Sequence, residues 1–176
     1  EPILFPDQVN LFFLTENGTL KFQVNRKYDG PQVYGLFAPV PANGIVRIDT
    51  SLIRVQEGEI WMGVFAEPNI ASQGLVAVIP PGDNTRNKEL VQKKMPEQVE
   101  IHRLETFADD PTQDPPRYSI VFELSNGEVK IQKLRDTEFA PVPLGSAQPW
   151  LFVGYQVANG SNRLEGEFLN LLVQGQ

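Results

Sequence analysis

Residues 150–173 read WLFVGYQVANGSNRLEGEFLNLLV, and this stretch indicates the fold class most clearly. Two mainly apolar runs, Trp150–Val157 and Leu164–Val173, flank the dipeptide Asn159-Gly160. Asn and Gly tolerate the positive φ angles of tight turns, and short apolar runs bounded by turn residues are typical of β-strands. The stretch therefore predicts two strands joined by a turn.

Similar turn signals recur through the chain. Asn126-Gly127 joins Tyr118–Leu124 to Val129–Leu134, and both runs alternate apolar with polar residues, as hairpin strands with one buried face do. Asn17-Gly18 stands between two further apolar runs and predicts a second hairpin. Asp29-Gly30 and Asn43-Gly44 complete the set of five turn dipeptides.

The remaining pattern is also that of strands. The other predicted strands are Leu20–Val24, Gln32–Ala38, Val46–Asp49, Ile53–Gln56, Glu59–Glu67, Leu75–Ile79 and Val99–Leu104. Asn87–Lys94 is ambiguous between helix and strand, and Pro80–Thr85 must be irregular. In the strand Val99–Leu104, Val99 and Ile101 are expected to face the core. About a dozen short strands with regular turn signals indicate an all-β sandwich or barrel.

Composition limits the chemistry that this domain can perform. The 176 residues include no cysteine and one histidine, His102, which excludes thiol nucleophiles, disulfides, thiolate metal sites and multi-histidine sites within one chain. The net charge of −7 argues against nucleic acid and anionic membranes as partners. No stretch approaches the roughly 20 apolar residues of a membrane span, so membrane insertion is not expected.

Residues 1–176 are expected to form a single β-sandwich domain. The chain begins without Met, and its first residues lack a signal-peptide pattern, so it is expected to be part of, or excised from, a larger protein. The absence of cysteine fits a bacterial domain outside the cell or at the cell surface, and it also fits many cytosolic domains. The expected location is extracellular or at the cell surface.

The C-terminal pattern resembles the end of concanavalin A-like and laminin-G-like jelly rolls. In those folds a strand with a Val-Gly core, here Val153-Gly154, precedes a last strand with the spacing of Phe168, Asn170 and Val173. The resemblance implies an all-β, two-sheet antiparallel jelly-roll sandwich of the concanavalin A-like kind. Lectins, glycoside hydrolases, adhesins and carbohydrate-binding modules share it, so the resemblance indicates the fold better than the function.

The first candidate site lies on the predicted strand Glu59–Glu67, which resembles a central strand of these folds. Trp61 shares one face of this strand with Glu59 and Glu67. If that face is open, the indole could stack on a sugar ring while a glutamate accepts hydroxyl hydrogen bonds. The alternative is that Trp61 belongs to the core, where tryptophan is commonly found.

A hydrolase would need two carboxyl groups close together. Glu165 and Glu167 are two residues apart on one strand face, about 6.6 Å by strand geometry, which is within the range used by glycoside hydrolases. Laminarinase-type enzymes, which the chain resembles in fold, carry three alternating acids on one strand. Here the flanking positions are Arg163 and Leu169, a departure that weakens the case for hydrolysis, and the alternative is a solvated strand face.

The sequence offers one candidate calcium site, and a solvated acidic loop is the default interpretation. Asp109, Asp110 and Asp114 lie in one proline-rich loop, and carboxylate oxygens suit calcium, but the spacing fits no known loop motif. No cofactor is expected otherwise. The favoured function is a noncatalytic extracellular domain that binds carbohydrate or another surface polymer. The alternatives are a glycoside hydrolase and a structural or protein–protein interaction module without a small ligand.

Overall fold

A computed structural model of the chain describes residues 3–4, 12–14, 18–86, 88–105 and 112–175. The regular secondary structure in these ranges consists of strands alone. No helix in these ranges is long and apolar enough to cross a membrane. The strands are β1 (Ile3–Leu4), β2 (Phe12–Leu14), β3 (Leu20–Tyr28), β4 (Gln32–Pro39), β5 (Gly44–Gln56), β6 (Glu59–Phe65), β7 (Gly74–Ile79), β8 (Leu90–Met95), β9 (Val99–Leu104), β10 (Arg117–Ser125), β11 (Glu128–Ile131), β12 (Val142–Pro143), β13 (Trp150–Val157) and β14 (Gly160–Gly175).

The strands form two seven-stranded sheets in which every pairing is antiparallel. Sheet A has the order β1-β4-β13-β6-β7-β8-β9, and sheet B has the order β12-β11-β10-β5-β14-β3-β2. From β3 to β6 the chain passes alternately from one sheet to the other, as it does again between β13 and β14. The predicted all-β, two-sheet antiparallel sandwich is confirmed.

The main core lies between the two sheets. Alternate residues of β10, including Ile120 and Phe122, point inward and are fully buried, as their period-two pattern predicts. They pack against inward side chains of sheet A such as Met62 and Leu75. Full burial of one such apolar side chain contributes about 1.5–3 kcal/mol, so this layer is the main source of stability.

A second apolar layer is formed by side chains on the outer face of sheet A. It consists of Phe37, Trp61, Phe65, Val76, Val78, Val91, Met95 and Phe152, each at most 2% exposed. The Phe152 ring lies 4.9 Å from the Phe37 ring and 5.7 Å from the Phe65 ring. Gly35 leaves room for it, since a Cβ there would lie 2.3 Å from the Phe152 Cζ. Both faces of β6 and β7 are buried, so buried and exposed residues do not alternate along these strands.

The Asn-Gly dipeptides make turns of two kinds. Asn126 and Gly127 have φ angles of 55° and 77° and close the predicted β10–β11 hairpin. Asn159-Gly160 instead carries the chain from sheet A to sheet B. The buried Asn162 side chain holds this crossing: Nδ2 donates to the Ala158 carbonyl at 2.8 Å, and Oδ1 accepts from the Ala158 N–H at 2.9 Å.

Strand β9 departs from the sequence-based expectation. It pairs with β8 at the edge of sheet A, where Val99 and Ile101 are 51% and 41% exposed, so the prediction that they face the core was wrong. A register shift in the β8–β9 pairing breaks the alternation. The segment that was ambiguous between helix and strand, Asn87–Lys94, overlaps β8 (Leu90–Met95), so its described residues from 90 onward form a strand. The two strands predicted over Val46–Gln56 are one strand, β5.

Candidate functional site

Trp61 and Glu59 contact each other, but in the interior. The Trp61 side chain has no exposed surface, and its indole N–H donates to Glu59 Oε1 at 2.9 Å. The same Glu59 oxygen is 3.5 Å from the Lys93 ammonium. A fully buried indole cannot stack on a ligand, so the ligand-facing role predicted for Trp61 is corrected: it is a core residue, which was the alternative.

Glu67 lies apart from these two residues. It follows the end of β6, is exposed, and its backbone N–H and carbonyl contact the Ser72 hydroxyl. Glu59 begins the same seven-residue strand, so the full length of β6 separates the two glutamates. The structure therefore does not bring the three predicted binding residues together in one site.

Glu165 and Glu167 lie on the outer face of sheet B, at alternate positions of β14. Both are half-buried. Glu167 is 3.6 Å from the Lys21 ammonium, and Glu165 stands in register with Arg54 of β5. Their role as a catalytic pair stays a prediction.

The predicted calcium ligands fall mostly outside the described residues, since these do not include Asp109 and Asp110. Asp114 is described, and its carboxylate is 3.2 Å from the Arg86 guanidinium. A cation already beside Asp114 opposes the binding of a second one there. Within the described ranges, no three acidic or histidine side chains are placed to hold a metal ion.

A polar network lies under the outer face of sheet B, around Asp49. Its carboxylate accepts hydrogen bonds from Asn170 Nδ2 at 3.0 Å, from Arg47 Nε at 3.0 Å and from the Ser119 hydroxyl. Burial by itself raises the pKa of Asp49, but these hydrogen bonds and the Arg47 charge outweigh it and hold that pKa below its ordinary value. Because the carboxylate is already well satisfied, the network is structural.

The best candidate site is a polar cleft where β3, β5 and β14 meet the loop that follows β7. Its volume is about 770 Å³, and it is lined by Asn25, Gln56, Glu57, Pro81, Gly82, Asp83, Ser161 and Arg163. We call it the polar cleft. Neither Glu165 nor Glu167 lines it.

Strand register brings the cleft residues together. Arg163 of β14 pairs with Asn25 of β3 on one side and with Gln56 of β5 on the other. Residues opposite each other on neighbouring antiparallel strands point to the same face, and such strands lie about 4.8 Å apart. The three side chains therefore form a row across the sheet. Gln56 Nε2 donates to Asp83 Oδ1 at 3.1 Å and extends the row to the loop.

Much of the hydrogen-bonding capacity of the polar cleft is unused. Among the described residues, no side-chain hydrogen bond or ion pair joins Asn25, Glu57, Ser161 or Arg163 to another part of the protein. Together they offer a carboxylate, a guanidinium, an amide and a hydroxyl. A ligand rich in hydroxyl groups could pair with all of them.

Lys88 fixes the loop that forms one wall of the cleft. Its side chain is buried, and the ammonium donates to the carbonyls of Pro80 at 3.0 Å and Gly82 at 3.1 Å. Burial lowers the pKa of Lys88, while the charges of Asp83 and Glu89 act in the opposite direction. These bonds hold the loop in place without a ligand, so the cleft wall is formed in advance.

Two further contacts attach the same loop to sheet B. The Tyr118 hydroxyl donates to the Thr85 carbonyl, and the Gly82 N–H donates to the Val55 carbonyl at 2.9 Å. Through this hydrogen bond Gly82 forms an isolated β-bridge with Val55 of β5. Val55 lies beyond the part of β5 that pairs with β10. The sequence predicts that this segment is irregular but contains no pattern that indicates a site there.

Two bacterial glucanases have a similar structure. The β-glucanase of Bacillus licheniformis has a TM-score of 0.59 and 11% identity, covering 96% of this chain and 84% of that one. The catalytic domain of an endo-1,3-β-glucanase (laminarinase) from Thermotoga petrophila has a TM-score of 0.53 and 11% identity, covering 89% and 79%. The fold is a concanavalin A-like jelly roll. No protein-family model matches the sequence, and no curated protein matches it significantly.

The concanavalin A-like fold predicted from the C-terminal pattern is thus confirmed. At 11% identity the two glucanases show a shared fold and nothing about activity. None of the described strands carries three alternating acids on one face. On the outer face of sheet A, the central strands carry apolar residues and glycine rather than acids, and Phe65, Val76 and Val78 are examples.

Proposed function

We propose that this domain is a noncatalytic module that binds a glycan, or another hydroxyl-rich surface polymer, in the polar cleft. The observation that carries the proposal is the set of four cleft side chains that have no partner in the described protein, Asn25, Glu57, Ser161 and Arg163. A sugar hydroxyl both donates and accepts hydrogen bonds, so it can pair with a carboxylate and a guanidinium at once. Such charge-assisted bonds are stronger than neutral ones.

Binding without hydrolysis is supported by the arrangement of the acids. The three-acid strand of laminarinase-type enzymes has no counterpart among the described strands, and the polar cleft does not include the pair Glu165 and Glu167. The proposal includes the location expected from the sequence, which is outside the cell. Because the names of the two glucanases of this fold describe action on β-glucans, β-glucans are the first probes to test.

Replacing Arg163 with Ala is expected to weaken glycan binding at least tenfold. Among the described residues, the guanidinium is the only charged donor that lines the polar cleft, and it is central in the row formed with Asn25 and Gln56. A glycan array followed by titration calorimetry with the bound glycan measures the effect. Lys130→Ala is the matched control, since it removes a cation near the other edge of sheet B. Equal losses in both variants, or no binding across the array, would contradict the proposal.

A further inference from the structure

Glu57 combines an unfavourable backbone conformation with a position in the polar cleft. Its φ angle is 68°, in the left-handed region, which costs energy for any residue with a Cβ and almost none for glycine. The side chain is exposed and forms no hydrogen bond or ion pair with the described protein. No contact in the described protein therefore requires a carboxylate at this position, where glycine would suit the backbone better.

The turn that holds Glu57 has little freedom to relax. Glu57 and Gly58 connect β5 of sheet B to β6 of sheet A. Gly58 is buried, and a Cβ there would lie 2.7 Å from the Gln156 carbonyl oxygen and 2.9 Å from Leu164 Cδ1. This close approach fixes the path of the chain, and Glu57 is held at the edge of the cleft.

Left-handed residues elsewhere show that conformation alone does not mark a site. Gln98 and Arg135 have φ angles of 57° and 54°, are exposed, and do not line the polar cleft. What distinguishes Glu57 is the combination of left-handed backbone, unpaired carboxylate and cleft position. Strained residues of this kind are often retained where they contact a ligand.

We infer that Glu57 determines the specificity of the polar cleft and that the cleft selects neutral glycans bearing vicinal hydroxyl groups over acidic ones. The carboxylate can accept hydrogen bonds from two adjacent hydroxyls, while Arg163 donates to hydroxyl oxygens. Within the described part of the chain, the charged groups lining the cleft are Glu57, Asp83 and Arg163, which together carry a net negative charge, and the whole chain has a net charge of −7. An acidic sugar would therefore be repelled. The inference rests on the function proposed above.

The test compares Glu57→Gly with Arg135→Gly, which also introduces glycine at a left-handed backbone position but outside the cleft. Melting temperature is measured, together with affinity for a neutral panel (laminarin, lichenan, xylan and galactomannan) and an acidic panel (polygalacturonate and alginate). Both variants are expected to melt about 2–4 °C higher than the unmodified protein. Only Glu57→Gly is expected to lose affinity for neutral glycans, at least tenfold. Glu57→Gln keeps the backbone cost, so it should lose affinity without a gain in melting temperature.

The remaining outcomes would overturn the role of Glu57, the inferred ligand class or the proposed function. If Glu57→Gly and Glu57→Gln bind neutral glycans as tightly as the unmodified protein while Arg163→Ala does not, the role of Glu57 is overturned and the proposed function stands. If the acidic panel binds more tightly than the neutral one, the inferred ligand class is wrong. If neither panel binds, the proposed function itself fails.

Discussion

Replacing Trp61 with Ala is expected to lower the free energy of unfolding by about 3–5 kcal/mol. The indole has no exposed surface and lies within the apolar layer on the outer face of sheet A, at 6.4 Å from the Phe152 ring. Its removal would leave a cavity and would deprive Glu59 of the indole N–H. Urea unfolding followed by circular dichroism measures the loss.

Trp150→Ala is the control for this prediction. Trp150 is the only other tryptophan, and it packs at the edge of the same layer while remaining half-buried. Its replacement should cost clearly less than that of Trp61. If Trp61→Ala changed stability by less than about 1 kcal/mol, far below the cost of removing a buried aromatic ring, and abolished glycan binding, Trp61 would be a ligand platform and its assignment to the core would be wrong.

Replacing Asp49 with Ala is expected to cost about 3 kcal/mol, because its buried carboxylate accepts charge-assisted and neutral hydrogen bonds that would be lost together. The variant would leave Ser119 and Asn170 without their acceptor. Glu123→Ala is the control, since Glu123 pairs with Lys130 on the solvent side of the same sheet at 3.5 Å. An exposed pair of this kind contributes about 0–1 kcal/mol. Equal costs for the two variants would contradict the structural role of Asp49.

The Asp49 network also predicts a dependence on pH. The pKa of Asp49 is lower in the folded protein than in the unfolded chain, so between these two values the unfolded state binds more protons. The contribution of Asp49 is therefore complete above its unfolded pKa of about 4 and declines as the pH falls through its folded pKa. In acid unfolding experiments the stability difference between the protein and Asp49→Asn should shrink below pH 4. A difference independent of pH would show that the carboxylate charge is not involved.

Local patterns were enough to predict the strands and the fold class. The alternation in β10 and β11 and the Asn126-Gly127 turn identify a hairpin because strand and turn chemistry are local. The same signals do not show which sheet a strand joins. Asn159-Gly160 looks like a hairpin turn in the sequence, yet it crosses between the sheets, because that choice depends on packing partners far away in the chain.

The alternation of residues along a strand also does not predict which side chains are exposed where both faces of a sheet are buried. Trp61 and Glu59 share a strand face, a pattern that predicts a surface site, but in the structure Trp61 belongs to a second, buried apolar layer. The polar cleft was missed for a related reason. Its side chains come from four separate segments, near residues 25, 56, 82 and 162, and strand register and the hydrogen bonds of the loop after β7 bring them together. The segment Pro80–Thr85 was recognised as irregular, which was the one local signal available.

The most direct test of the account is to map the glycan-binding surface by nuclear magnetic resonance. The isotopically labelled domain would be titrated with the neutral glycan that binds most tightly, and backbone amide shifts would be followed for every residue. If the glycan binds in the polar cleft, the largest changes are expected at Asn25, Gln56, Glu57, Asp83, Ser161 and Arg163, with little change around Trp61. Changes concentrated around Trp61, or along Glu165 and Glu167 with the polar cleft unaffected, would contradict it.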